Sequence, residues 1–337
     1  MKRFYLTVIL MLCLIQIKAQ MLEWDVGFFG FVDNREYAAS GRESATFLGT
    51  QLSPEVGLLV DSTHRIRFGM NLLHEFGTKQ FSNKISPTVY YNYQKDHISF
   101  YMGAFPRRGL TDDFSRALLS DTLIYFRPNH TGLLFKVEKP LLNQNIWIDW
   151  VSKQSVDQRE QFMVGASGKV QLGMFFVAHD ALLWHNALPD NPPEDMHLQD
   201  NVAITAQVGI DMTKISDLDS LTFGVGGILS ADRLRGVYDW KGARGALIEV
   251  HGAYRSFFVH NTFYVGDRQA LALGDDFYSE KLYNRLDLGW SPLRNKRFSA
   301  KLIASFHFTA GAIDNQQTLL LRYNIGSAHL LKNTRFK

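Results

Sequence analysis

The chain has 337 residues, with 36 Lys and Arg against 33 Asp and Glu, and 46% of it is hydrophobic. Its only cysteine, Cys13, lies close to the N-terminus, which excludes a disulfide scaffold, a thiolate metal site and a cysteine nucleophile from the rest of the chain. Of the cations, Lys2, Arg3 and Lys18 fall in the first 19 residues with no acid beside them; 36 − 3 leaves 33 against 33, so no net positive field remains to draw nucleic acid.

Lys2 and Arg3 precede an apolar run, "FYLTVILMLCLIQI", and Ile17 and Ala19 occupy the positions that a signal peptidase reads. Residues 1–19 are therefore expected to be a cleaved secretory signal. The run is too short for the roughly 20 residues of a spanning helix, and Cys13 follows the bulky Leu12 inside it, which argues against lipoprotein processing. No linker or composition break divides 20–337, which reads as one domain.

Alternation with a period of two dominates that domain. It runs through "RIRFGMNLL", "HISFYMGAF", "LLFKVEK" and "IWIDWV" in the first half of the chain. In "NVAITAQVGID", Val202, Ile204, Ala206, Val208 and Ile210 share one face, against Ala203, Thr205, Gln207, Gly209 and Asp211 on the other. "LTFGVGGIL", "YNRLDLGW" and "RFSAKLIASFHF" continue the pattern. One face suits an apolar medium and the other suits water.

The connections alternate in length. Short turns are expected at 60–64, 94–97, 139–145, 166–170, 213–220, 253–256 and 291–297. Longer polar connectors are expected at about 33–44, 78–83, 107–129, 154–159, 184–199, 231–243, 267–279 and 309–316. The count is sixteen strands in strict up-and-down order. A soluble barrel of that size would expose an apolar band far above the roughly 300–600 Å² of an ordinary monomer. A membrane barrel requires such a band, closes every backbone hydrogen bond and carries short turns at one end opposite long loops at the other. The expected fold is all-β: a transmembrane up-and-down antiparallel β-barrel of about 16 strands, with 14 or 18 as neighbouring counts. Trp24, Tyr91, Tyr93, Tyr254, Phe257 and Trp290 fall near strand ends, where interface girdles belong.

The longest connector opens with "FPRRGLTDDFSRALLSD", in which Arg107, Arg108, Asp112, Asp113 and Arg116 crowd together. Asp112 and Asp113 suit a helix N-terminus, and Phe114, Leu118 and Leu119 make an apolar stripe that needs a surface to pack on. The lumen offers one, so this third loop is expected to fold inward. The inward phase of the strands supplies Glu55, Arg65, Arg67, Lys136, Glu138, Asp149, Glu249, Arg285, Asp287, Lys301 and Arg322. Charges of both signs across a narrow lumen would order water and favour polar solutes; the alternative is solvated charge without selectivity. Inward aromatics Tyr90, Tyr101, Trp147, Phe258, Tyr264 and Tyr283 could form a track for sugar rings, but filling space beside the third loop is the preferred reading.

Other chemistry is weighed against this. Ser305 and His307 share the inner face of one strand without a G-x-S-x-G elbow or other signature, a pairing expected by chance in a chain with eleven histidines. In "HDALLWHNALPDNPPEDMH", His179, His185, Asp190, Glu194, Asp195 and His197 match neither an EF-hand nor a zinc spacing, so an acidic solvated loop is preferred. "GVGG" at 224–227 lacks the helix that phosphate binding needs.

The signal, the sixteen alternating strands, the asymmetry of the connections and the enlarged third long loop together resemble the general porins of Gram-negative outer membranes, and "KAQ" at the cleavage site is in a style common in Bacteroidota. The resemblance implies that the third loop narrows the pore with acidic residues facing a basic wall. One departure is the C-terminus: "NTRFK" leaves Phe336 penultimate, where such barrels usually end on an aromatic residue. The expected function is a porin of the outer membrane for passive diffusion of small hydrophilic solutes, not an enzyme, with no cofactor and no metal. A carbohydrate-type channel and a non-conducting structural or adhesive barrel are the alternatives. Expected partners are outer-membrane lipid and lipopolysaccharide, the solutes and the barrel-assembly machinery, with no nucleic acid and with homo-oligomerisation left open.

Overall fold

The structure, a computed structural model, describes residues 20–112 and 114–327. The signal reading at 1–19, Asp113 and Phe336 lie outside the described residues. The described residues form sixteen strands: β1 (Gln20–Glu36), β2 (Ala45–Val60), β3 (His64–Glu75), β4 (Lys84–Lys95), β5 (Ile98–Pro106), β6 (Asn129–Lys139), β7 (Leu142–Ser152), β8 (Gln161–Leu172), β9 (Phe175–Asn186), β10 (Gln199–Asp211), β11 (Ser220–Leu234), β12 (Tyr238–Tyr254), β13 (Phe257–Gly266), β14 (Leu282–Arg294), β15 (Phe298–Thr309) and β16 (Ala312–Gly326). Each pairs antiparallel with its neighbours in sequence, and β1 closes on β16 from Asp25↔Gly326 to Glu36↔Asn315. Closure leaves no edge strand.

Three connections differ from the sequence expectation. The turn expected at 166–170 lies at 173–174, where Gly173 has a φ of +63°. Ser167 and Lys169 could therefore stay in β8, with Lys169 placed over the ring of Phe176 at 4.2 Å. The connectors expected at 231–243 and 309–316 are strand pairs closed by 235–237 and 310–311. Gly311, at φ +88°, closes the second. Polar residues did not end these strands, because beyond the bilayer a paired strand can present either kind of side chain to water. The other long connections hold, so the barrel has a turn end, which carries both termini of the sheet, and a loop end.

Alternation sorts the faces. Outward residues such as Val56, Phe68, Ile146, Val208, Leu288 and Leu302 are exposed and apolar, the belt that a bilayer covers. At the turn end Trp24, Tyr254, Phe257 and Trp290 are exposed, with Phe257 and Trp290 stacked at 6.2 Å, while Tyr91 and Tyr93 flank His64. Inward residues include the buried Gln51, Asn71, Thr88, Thr205 and Thr262.

Nearer the loop end the interior holds a packed apolar cluster. A chain of register partners, Tyr101, Leu134, Trp147, Gly165, Leu182 and Ala203, crosses β5 to β10, and a second row, Leu247, Tyr264 and Tyr283, crosses β12 to β14. Onto these pack Phe114, Ala117, Leu118 and Leu119 of the third loop, with Phe277 and Tyr278 from the connection 267–281. A five-residue helix, α1 (Thr122–Phe126), covers the opposite wall, where Tyr125 stacks on Phe31 at 4.5 Å beside Phe29 and Leu73. Tyr90, Tyr101, Trp147, Tyr264 and Tyr283 thus pack beside the loop, while Phe258 lies apart under Lys301 at 4.5 Å. The indole of Trp147 lies across Gly165 on the next strand, in the space that a Cβ would fill.

Gly165→Leu should therefore displace Trp147 and destabilise the barrel by about 1–3 kcal/mol. The measurement is the temperature at which the folded band is lost in a gel-mobility series; an unchanged midpoint would show that Trp147 does not need the space.

Candidate functional site

The third loop enters through a neck where Arg107 N donates to Pro128 O at 2.7 Å. The side chain of Arg107, 1% exposed, donates to Asp149 of β7 and to Arg127 O at 3.2 Å. Asp149 also accepts from Thr131 N at 2.8 Å, and Thr111 meets His130 at 2.9 Å. Arg108 donates to Gln51 and lies over the ring of Phe29 at 4.5 Å. Burial, reinforced by the nearby Arg322, pulls the pKa of its guanidinium downward. Asp112 pairs with Arg322 of β16 at 3.0 Å, and Arg116 pairs with Asp287 at 2.8 Å and Asp121 at 3.1 Å. These four described charges of the cluster are engaged with the wall or with the loop itself.

The remaining wall charges divide by height. Glu55, Arg65 and Arg67 gather around Glu23 toward the turn end, with Arg67 to Glu23 at 2.9 Å. Lys136 and Glu138 pair there at 3.0 Å, and Glu249 accepts from Gln207 at 3.2 Å. Lys301 is the lysine over Phe258. Arg285 bonds Asp287 at 2.8 Å, Ser305 at 3.2 Å and Gln316 at 3.4 Å. Ser305 and His307 do not act on one another: the two nitrogens of His307 are taken by Tyr283 at 2.7 Å and Tyr37 at 3.5 Å.

The connection 267–281 locks the third loop from above, with Ser120 N donating to Leu273 O at 2.7 Å and Asp275 N to Arg116 O at 3.2 Å. Between them is a cavity of about 260 Å³ lined by Arg35, Arg42, Arg116, Arg285, Asp121 and Asp275, among others. Burial pushes the Asp275 carboxyl up and the nearby Arg285 opposes it. Its four cations are paired, for Arg35 holds Asp33 at 2.7 Å, Arg42 holds Glu280 at 3.2 Å, Arg116 holds Asp287 and Arg285 holds Asp275 at 3.5 Å.

A second group lies on the outward face. Trp150, Phe162, His185, Asp200 and Arg233 are successive register partners across β7 to β11. Trp184 and Ala203, on the opposite phase, belong to the interior, so this row faces outward. Two residues below it on the same strands, Ile148, Val164, Leu183, Val202 and Ala231 are all apolar. The row thus lies immediately above the apolar belt. Trp150 stacks on Phe162 at 5.0 Å and Phe162 on His185 at 4.9 Å. His185 Nδ1 meets Asp200 Oδ1 at 2.6 Å. The other oxygen of Asp200 accepts from Arg233 Nε at 3.1 Å and Arg235 Nε at 3.2 Å, and Arg233 lies over Trp240 at 4.5 Å. With Nδ1 donating to Asp200, Nε2 of His185 is the acceptor, the arrangement of a general base with an orienting carboxylate.

Of the histidines and acids weighed as a metal loop, His179 lies beside Gln144 at 3.4 Å and His185 joins the row. Among the described residues no group of three or more His, Cys, Asp or Glu side chains is placed to hold a metal ion. Sequence reasoning passed over Asp200, Arg233 and Arg235. The signal was present: the apolar phase Val202, Ile204 and Ala206, extended back one step, lands on Asp200.

A family model described as lipid A 3'-O-deacylase-type matches residues 15–332. No curated protein matches the chain. Among solved structures, a loop-deletion mutant of OmpT, an outer membrane protein of Vibrio cholerae, is similar at a TM-score of 0.57 and 9% identity, over 91% of this chain and 100% of that one. An anion-selective porin from Comamonas acidovorans is similar at 0.53 and 9% identity, over 91% and 100%. At such identity the likeness is one of fold, that of a sixteen-stranded Gram-negative outer-membrane barrel. The expectation that the chain is not an enzyme is overturned by the family match, since the family is one of enzymes.

Asp149→Ala should leave Arg107 buried without its counter-charge, a cost of about 3–5 kcal/mol that falls on the neck of the loop. Limited proteolysis of the detergent-solubilised barrel should then cut within 107–128; resistance equal to the parent protein would show that the apolar packing holds the loop unaided.

Proposed function

Because the chain belongs to the lipid A 3'-O-deacylase-type family, we propose that it hydrolyses an acyl ester of an outer-leaflet glycolipid of the lipid A type, at the outward row on β8 to β11. The observation that carries this reading is the His185–Asp200 contact directly above an apolar row. An ester at the junction of acyl chain and sugar lies at the boundary between apolar belt and water, so chains against Leu183 and Val202 bring it to the height of His185. Acyl chains have no comparable route inward, because the lumen nearer the loop end is filled by the third loop.

In the reaction, His185 Nε2 takes a proton from a water molecule as its oxygen attacks the ester carbonyl carbon. The tetrahedral intermediate collapses, the carbon–oxygen bond to the sugar breaks, and the proton returns from His185 to the leaving oxygen. One water is consumed and a fatty acid and an alcohol are released. Asp200 holds the ring in orientation and stabilises its protonated form. His185→Gln should lower the rate on lipid A in mixed micelles by at least about 100-fold with unchanged heat-modifiable gel migration. A variant that keeps the full rate would remove His185 from the chemistry.

A second reading, a channel for small hydrophilic solutes, rests on the barrel itself, since sixteen strands enclose a bore wide enough to conduct. It requires the third loop to leave the lumen. In planar bilayers, deletion of 110–122 should raise conductance well above that of the intact protein if the loop is the obstruction; equal conductance would reject that role.

A further inference from the structure

Asp200 is one carboxylate shared by three cationic or potentially cationic side chains. His185 takes one oxygen at 2.6 Å, and Arg233 and Arg235 both bond the other. Two permanent charges against one leave the group positive. The local backbone explains the crowding: the β11–β12 ladder shifts register between Asp232 and Leu234, so Arg233 at the strand end and Arg235 in the closing turn reach the same carboxylate. Arg235 is held by its backbone, whose N–H donates to Leu198 O at 2.9 Å, while its side chain is 52% exposed. Its guanidinium therefore keeps donors free for water.

Beside the pair is a groove of about 380 Å³ lined by Arg233, Arg235, Gly236, Val237, Tyr238 and Asp239. Asp239 is the acid in it, with one oxygen accepting from Trp240 N at 2.8 Å, and Lys241, over the ring of Tyr238 at 4.1 Å, sets a further cation beside it. The ring of His197 abuts Gly236 from the neighbouring connection. Two guanidiniums converging at the mouth of an open groove, one of them backed by an indole, make a geometry suited to a tetrahedral dianion, which accepts several N–H bonds at once.

We infer that Arg233 and Arg235 receive a phosphate group on the head of the amphiphile, and that its arrival draws their donors from Asp200 and leaves that carboxylate to His185. The second half rests on the hydrolytic function proposed above; the first stands on the arginines and the groove. The head group then does two things. It positions the ester, because the phosphate anchors the sugar while the chains lie on the belt. It also readies the base, because Asp200 no longer divides its charge among three partners. Amphiphiles without a phosphate would leave the arginines on Asp200 and react slowly.

The test uses the whole protein in detergent micelles. Binding of inorganic phosphate is measured by calorimetry for the parent protein and for Arg235→Gln and Arg233→Gln, with Arg235→Gln as the exposed position least able to disturb folding. Binding should be detectable in the parent and weakened at least tenfold in Arg235→Gln; absence of binding, or equal binding in both variants, overturns the receptor. Hydrolysis of a phosphate-free acylated sugar is then followed with and without inorganic phosphate. A rise in kcat with phosphate in the parent, absent in Arg235→Gln, supports the release of Asp200, and binding without stimulation overturns it. A phosphate-bearing amphiphile should show a KM at least tenfold below that of the phosphate-free one. Equal KM values would mean that the site takes free phosphate and would overturn the head-group assignment. If no ester is cleaved by the parent protein, the hydrolytic function fails, while the binding measurement still decides the receptor.

Discussion

Every backbone N–H and C=O of a spanning strand must be paired within the protein, because the bilayer offers no partner. The closure of β1 on β16 meets that demand for the whole sheet at once. Everything else follows from it. A closed ladder fixes which side chains point in and which point out, with a period of two that one register slip would invert. The outward phase must be apolar over the height of the belt, so a polar side chain on that phase is either above the belt or has work to do there. The inward phase is free of this restriction, and here it carries charged pairs toward the turn end and, toward the loop end, an apolar and aromatic cluster crossed by further charged pairs.

The packed cluster gives this barrel a core in the ordinary sense of a soluble protein. Trp147 over Gly165, Tyr125 on Phe31 and the loop residues Phe114, Leu118 and Leu119 are packed as a domain interior is packed. Charged pairs at Arg107, Asp112 and Arg116 set the position of the loop on that core. A cluster whose charges are neutralised one by one across a packed interface presents little net field to a passing ion. The chemistry proposed for the molecule then lies on the outside of the wall, where the row from Trp150 to Arg233 sits directly above the apolar belt.

Strand number, antiparallel order and the orientation of each face were legible in the sequence because one rule, alternation, governs them and is repeated sixteen times. The inward course of the third loop was legible too, since an apolar stripe in a polar loop needs a surface. Turn positions were less so. "ASGKV" has the composition of a turn, yet Lys169 could stay in β8 because the ring of Phe176 lay beneath it, a fact of the next strand. The polar stretches at 231–243 and 309–316 looked like loops because composition cannot tell a strand beyond the membrane from a coil. The His185–Asp200–Arg233 row was missed for another reason. Its members are separated along the chain: His185 was read with an acidic loop, while Asp200, just past that loop, and Arg233, inside the connector expected at 231–243, were passed over. Only the register between strands shows that they are adjacent. Membership of an enzyme family had no local motif to announce it, and Ser305 and His307, the pair that did look local, are engaged by Arg285 and by the two tyrosines.

The fastenings of the third loop are spread over the whole sequence. Arg107 is held by Asp149, Arg108 by Gln51 and Tyr125 by Phe31, on β7, β2 and β1. Arg116 meets Asp287 171 residues later, Ser120 meets Leu273, and Asp112 meets Arg322 on the final strand. One short segment thus ties together walls that the chain visits at its beginning, middle and end. The stopper is also a cross-brace, and it is complete only in the closed barrel.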